Sequence, residues 1–267
     1  MMKYIFFYFP LWYLVKSRLY TIYKFLSWLV VYLIPVFLLF IWNSGFSMLN
    51  ICVFVLTVFL IYNYYEIGYI QNDTETIKKE NIPTLRLKKD EYSYYERHKI
   101  YIYISRLCIG IVFLFLFKEY ISMEFIFFLF LILICYLIYN SIRNRWNLLI
   151  NSCLVLIRYL SPLFMCVGTE NYIILFASVF IYPLLNFIER ASSKRFNLYS
   201  LQRIVGNLTT FRIKYYSFFT LLYAFLSYFL GEDYLKICLL FSFLLIFRLL
   251  IYWGVKLGIA PSNYLKA

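Results

Sequence analysis

Eight stretches of this chain run almost without charge, at about 25–44, 47–70, 100–118, 123–141, 147–168, 171–189, 213–230 and 235–257. A helix needs about 20 predominantly apolar residues to cross a bilayer. Inside lipid no water satisfies a backbone N–H or C=O, so each such run must satisfy its own and be a helix. Charged residues make up 15% of the chain, against roughly 25% in a soluble domain, which excludes a pair of soluble domains. The expected fold class is all-α: a polytopic integral membrane helical bundle of about eight transmembrane helices, in two four-helix halves. One integral membrane domain covers 1–267, with 25–141 as its first half and 142–267 as its second. Residues 1–24 are apolar but broken by Pro10, Lys16, Arg18 and Lys24, and are expected to form an interfacial amphipathic segment. No small-residue cleavage site follows them, so a signal peptide is not expected.

The cations set the orientation. Lys3, Lys16, Arg18 and Lys24 precede the first run, and a basic stretch from Lys78 to Lys99 follows the second. Arg143 and Arg145 follow the fourth, Arg190 to Lys214 the sixth, and Lys256 and Lys266 the eighth. The opposite loops hold only Lys118 and Lys236, beside five acidic residues. By the positive-inside rule both termini and both long basic loops are expected in the cytoplasm, with the protein in a bacterial inner membrane. The net charge of +13 is mostly this asymmetry. No soluble basic face remains for nucleic acid.

Several chemistries drop out. The six cysteines are scattered singly through apolar segments, without paired metal-ligand spacing. His98 is the only histidine, so a histidine-centred metal site or triad is excluded. There is no glycine-rich phosphate loop. The aromatic content, 24%, is what core packing and interfacial belts require.

Two polar islands stand out against this background. The first is Asn72, Asp73, Thr76 and Glu80, at the inner end of the second run. If that helix continues through residue 80, then Glu66, Tyr69, Asp73, Thr76 and Glu80 fall at steps of three and four on one face. The second is Asn186 with Glu189, at the end of the sixth run. Oxygen ligands suit Mg²⁺, which bridges one or two carboxylates to substrate phosphates. Lys78, Lys79, Arg86, Lys194 and Arg195 are candidates for gripping a diphosphate. Glu66, an ionisable group inside a span, is a functional candidate in its own right and the best candidate for a general base. Arg106 and Arg248, also within or near spans, are expected to snorkel or to pair with a carboxylate.

At these residues the chain resembles the UbiA superfamily of intramembrane prenyltransferases. That family's first motif, NDxxDxxxD at the end of its second helix, reads here NDTETIKKE over residues 72–80, followed by NIPTLR. Asn72, Asp73 and Glu80 match. Thr76 stands where the middle Asp belongs, with Glu75 beside it. The second family motif, Asp-rich, is reduced here to NFIERASSK, Asn186 to Lys194. Asn147 and Arg158 in NLLINSCLVLIRYLSP keep the separation of a third family pattern, and with Pro83 and Arg86 look most like the branch that includes decaprenyl-phosphate phosphoribosyltransferase.

The resemblance implies a UbiA-like transferase with Mg²⁺ as cofactor. Asn72, Asp73, Thr76 and Glu80 would hold metal from one side, Asn186 and Glu189 from the other. Asp73, Glu80 and Glu66 would be the catalytic set. Lys78, Lys79, Arg86, Arg158, Lys194 and Arg195 would bind substrate phosphate. The partners implied are a polyprenyl phosphate or diphosphate and a phosphorylated small co-substrate. Phosphoribosyl transfer from phosphoribosyl diphosphate to a polyprenyl phosphate is the leading expectation. Prenyl transfer to an aromatic or other small acceptor is the alternative, and a transporter or lipid flippase is the rival from another class.

Overall fold

The computed structural model describes residues 2–80, 83–142, 144–165 and 172–259. Every regular element among them is helical. A 3-10 turn, Met2–Phe7, leads into α1 (Trp12–Ser17). There follow α2 (Ile22–Ser44), α3 (Met48–Thr74), α4 (Lys89–Leu116), α5 (Met123–Ser141) and α6 (Asn147–Leu160). The chain continues with α7 (Tyr172–Ile181), α8 (Pro183–Ala191), α9 (Tyr199–Val205), α10 (Leu208–Leu230) and α11 (Glu232–Lys256).

Among the described residues seven helical stretches are long and apolar enough to cross a membrane: Ile22–Ser44, Met48–Lys79, Lys89–Leu116, Met123–Ser141, Asn147–Phe164, Tyr172–Ala191 and Glu232–Lys256. The protein is therefore a polytopic helical membrane protein. The remaining expected run, 213–230, forms α10, whose tyrosines, serines and Lys214 keep its hydropathy below the other seven. The run expected over 171–189 is not one continuous helix. It breaks at Tyr182, because Pro183 opens α8 and has no N–H to continue α7. The carbonyls freed there are taken up by hydroxyls: Tyr215 donates to Phe180 O at 2.6 Å and Tyr216 to Ile181 O at 3.0 Å.

The chain divides into two compact units, 1–20 with 44–168, and 21–43 with 169–267. In the first unit α3 is the central helix. Its buried residues include Leu60, Ile61, Tyr62, Asn63, Glu66 and Ile70, too many faces for a peripheral helix. Two glycines admit its neighbours. A Cβ on Gly68 would stand 2.0 Å from the Tyr136 ring of α5, and one on Gly110 of α4 would stand 2.5 Å from the Tyr64 hydroxyl. Small residues at helix contacts and polar side chains bonded across them are what hold membrane helices together. Both are present: Asn63 donates to Arg106 O at 2.8 Å, and Asn140 to Gly68 O at 3.2 Å and to Gln71 at 3.0 Å.

The N-terminal segment, expected to lie along the membrane surface, is tied inward. Phe7 and Tyr13 are fully buried and Leu14 nearly so. Arg106 and Glu66, both fully buried, form an ion pair with Nη1 2.7 Å from Oε2, at an angle too bent for a hydrogen bond. The other guanidinium N–H groups reach the segment's carbonyls: Nε to Phe7 O at 2.9 Å, and Nη2 to Phe6 O and Phe9 O at 3.2 Å each. The Leu14 N–H donates to Glu66 Oε1 at 2.6 Å. Leu11, at φ 71°, turns the chain so that this is possible. In unit two, α10 and α11 pair as an antiparallel hairpin about Gly231, at φ 94°. Phe219 and Tyr223 stack on Phe241, with ring centroids 5.1 and 5.3 Å away.

Removing one member of the buried pair leaves the other uncompensated. Glu66→Gln or Arg106→Met is expected to destabilise by about 3–5 kcal/mol, read as a lower Tm in detergent. The double variant should recover part of the loss; additive losses would count against the pairing. Gly68→Ala is expected to lower Tm as well, because the Tyr136 ring must move.

Candidate functional site

The first island is built differently from the sequence expectation. The helix does not run through residue 80. It ends at Thr74, and Thr76–Lys79 tightens into a 3-10 turn that leaves Glu80 in extended backbone. The stripe from Glu66 to Asp73 survives, and it faces the N-terminal segment. Asp73 is almost fully buried. Arg18 grips it with both ends of its fork, Nη1 to Oδ2 at 2.8 Å and Nη2 to Oδ1 at 2.9 Å. The Tyr13 hydroxyl donates to Oδ2 at 3.0 Å and Asn72 Nδ2 to Oδ1 at 3.3 Å. Arg86 stands 3.7 Å away. The Arg18 guanidinium also lies over the Tyr69 ring, 4.5 Å from its centroid.

The protonation states follow from this packing. Burial, with the Asp73 charge added, pushes the Tyr13 phenol well above its ordinary value, so it stays a donor. Burial alone would lower Arg18, but its hydrogen bonds and attraction to Asp73 outweigh that and raise it. Lys16, bonded to Glu91, is pulled below the usual lysine value by burial, against the opposing pull of that carboxylate.

A carboxylate has about four lone-pair sites, and those of Asp73 are taken. The Thr76 hydroxyl donates to Gln71 O at 3.3 Å. Glu75, next to the matched position, accepts from Tyr95 at 2.9 Å and from Lys78 at 2.8 Å, and Lys78 also reaches Glu96 at 2.8 Å. Among the described residues no three His, Cys, Asp or Glu side chains gather where they could hold a metal ion. The residues of the first island, as arranged, do not fit a protein-held Mg²⁺. The second island behaves alike. Both Glu189 oxygens are held by Arg212, Nε to Oε1 at 2.6 Å and Nη2 to Oε2 at 2.9 Å. Asn186 donates to the Tyr182 hydroxyl at 3.0 Å.

What the first island does offer is a cleft. A cavity of about 360 Å³ opens beside Asp73, with Arg86, Lys89, Tyr92 and Ser93 in its wall and Ile77 and Leu85 as its apolar side. A second hollow, about 500 Å³, lies among α3, α4 and α5. It is lined by Gly68, Leu107, Leu133, Tyr136 and Leu137, with Glu75 and Lys99 at its polar end. Glu66 lines neither cavity. Arg158 lies inside the first unit, its guanidinium 5.7 Å from the Tyr65 ring centroid. Lys79, Lys194 and Arg195 are exposed; the last two sit in the 3-10 turn Lys194–Phe196.

The sequence reading missed Arg18, Tyr13 and Lys89 as site residues. Arg18 was legible only as one of the cations that set orientation. A lone arginine in an apolar segment near an aspartate-bearing helix is the signal that would have found it. Comparisons of the chain with family models, with curated proteins and with solved structures found no match.

Arg18→Met is expected to cost about 3–5 kcal/mol by stranding Asp73. Arg18→Lys should rescue little of this, because an ammonium cannot reproduce the two-pronged grip. Thermal unfolding of the three proteins checks it; full rescue by lysine would mean that charge alone matters there.

Proposed function

We propose that this protein is a membrane transferase that carries a phosphoribosyl group from phosphoribosyl diphosphate to a polyprenyl phosphate. The observation that supports this best is the cleft beside Asp73. It lies at the end of the helix that bears the UbiA-like NDTETIKKE segment, and cations line it. An anionic substrate entering there meets Arg86 and Lys89, while Arg18 and Tyr13 hold the Asp73 carboxylate. The apolar hollow among α3, α4 and α5 offers a place for the isoprenoid chain, with Lys99 at its polar end. In this reading both termini and both islands face the cytoplasm of a bacterial cell, where phosphorylated co-substrates are found.

The chemistry suits this set of side chains. The lipid phosphate is largely ionised near neutral pH, since a phosphate monoester's second pKa is about 6. One of its oxygens attacks the ribosyl C1, and the bond from C1 to the diphosphate oxygen breaks with its electrons going to diphosphate. No protein base is required, which leaves Glu66 its role as partner of Arg106. The leaving diphosphate is neutralised by Arg86 and Lys89, positioned cations being worth far more in a water-poor site than in bulk. Mg²⁺, where the reaction needs it, would arrive as the counter-ion of the diphosphate substrate, since this ion is commonly bound through substrate phosphates.

The test is transfer of labelled phosphoribosyl diphosphate into the lipid phase by purified protein with polyprenyl phosphate and Mg²⁺. Wild type is expected to incorporate label, and Arg86→Gln to lose about 100-fold or more. Incorporation unchanged in Arg86→Gln would remove the cleft from the reaction. No incorporation at all, beside an active control enzyme, would overturn ribosyl transfer and turn the assay to polyprenyl diphosphate donors.

A further inference from the structure

Among the described residues the second unit holds a buried positive charge with no ion-pair partner. In α11 the inward face is Ile237, Phe241 and Leu244, all fully buried, and Arg248 continues it at 4% exposure. Seven residues separate 241 from 248, close to two full turns, so the two side chains share that face. Arg248 therefore points into the unit and does not snorkel to a surface. Its position along the hairpin follows from the aromatic stack. Phe241 packs against Tyr216 and Phe219 of α10. Moving two turns along α11, and one to two turns back along the antiparallel α10, brings Arg248 to the level of Arg212. Arg212, Tyr216, Tyr182 and Glu189 all act on it electrostatically.

The charges there do not balance. Glu189 gives both oxygens to Arg212. The remaining carboxylates among the described residues of this unit, Glu232 and Asp233, sit at the far end of α11, roughly 23 Å away along the helix axis. Among the described residues Arg248 has no ion pair, and its Nε is buried without a hydrogen bond. The amide oxygen of Asn186 is buried and unbonded as well. An unpaired guanidinium out of water is strongly unfavourable, and an intramembrane ionisable residue normally has a partner or a ligand.

We propose that Arg248, with Arg212 alongside, is a direct anion site that takes a phosphate group without a metal bridge. A guanidinium fork matches two phosphate oxygens at once. The phosphate is either free in solution or the headgroup of a lipid. Glu189 acts in this site by orienting Arg212, not by binding a ligand. The site stands independently of the cleft in the first unit and of the transfer proposed there.

The experiment uses the full chain in phosphatidylcholine nanodiscs. Unfolding temperature and binding are followed with inorganic phosphate against chloride at equal ionic strength, and separately with phosphatidic acid in the discs. Wild type is expected to be stabilised by at least one of the two. A response to inorganic phosphate assigns a free-phosphate site; a response to phosphatidic acid alone assigns a lipid headgroup site. Arg248→Met should bind at least about tenfold more weakly and lose the stabilisation, while Arg203→Gln, an exposed cation of the same unit, should keep it. Without ligand, Arg248→Met should unfold at or above the wild-type temperature, because a stranded charge has gone. A markedly lower temperature would mean that Arg248 has a partner within the fold, and an unchanged phosphate response in Arg248→Met, or none in wild type, would equally overturn the site.

Discussion

The first unit depends on a carboxylate and a guanidinium that face each other fully buried. Taking either into an apolar interior costs several kcal/mol after relaxation. The pair is made tolerable by the hydrogen bonds that Arg106 Nε and Nη2 and Glu66 Oε1 make with the N-terminal segment. Arg106 needs acceptors, and the N-terminal segment supplies the carbonyls of Phe6, Phe7 and Phe9. Glu66 needs a donor, and Leu14 supplies its N–H. One ion pair thus fixes where α3 and α4 lie and also draws the first twenty residues onto them. From that follows the placing of Tyr13 and Arg18, four and nine residues beyond Phe9, against Asp73.

That chain of dependence changes the meaning of the polar stripe. Read along α3, Glu66, Tyr69 and Asp73 look like a row of groups awaiting a cation. In the folded unit each already has one: Arg106 on Glu66, and Arg18 over Tyr69 and on Asp73. Arginine on an otherwise apolar segment does the neutralising that a metal ion would do, and it does so with a planar fork suited to carboxylate geometry. The open positive charge is moved outward, to Arg86 and Lys89 in the cleft wall.

The spans were legible because lipid permits so little else: an apolar run of about twenty residues has to be a helix. The break at Tyr182 was passed over in the sequence, although Pro183, which has no N–H to continue the helix, stands inside the run expected over 171–189. The partners of the acids were not legible. Asp73 and Arg18 are 55 positions apart, Glu66 and Arg106 are 40 apart, and no periodicity links them. The end of α3 was misread for a local reason. Steps of three and four continue to Glu80, but Thr74 and Thr76 turn their hydroxyls back onto the carbonyls of Ile70 and Gln71, and such back-bonding competes with a regular helix. The sequence located the polar ends of the spans; which charge answers which required the fold.

A common principle then runs through both units. Each places an arginine from a neighbouring segment against the carboxylate of a polar island, Arg18 on Asp73 and Arg212 on Glu189, both bidentate. Such a pair is electrically silent, so it cannot by itself attract an anion. Its effect is to hold a rigid, neutral floor in place at the end of a span. A further cation beside that floor is only weakly opposed, because the oxygens of the nearby acid are already committed. Arg86, 3.7 Å from Asp73, with Lys89 in one unit and Arg248 in the other occupy that position. In a chain with twice as many basic as acidic residues, 26 against 13, committing the few acids to structural pairs leaves the other cations beside them short of counter-ions.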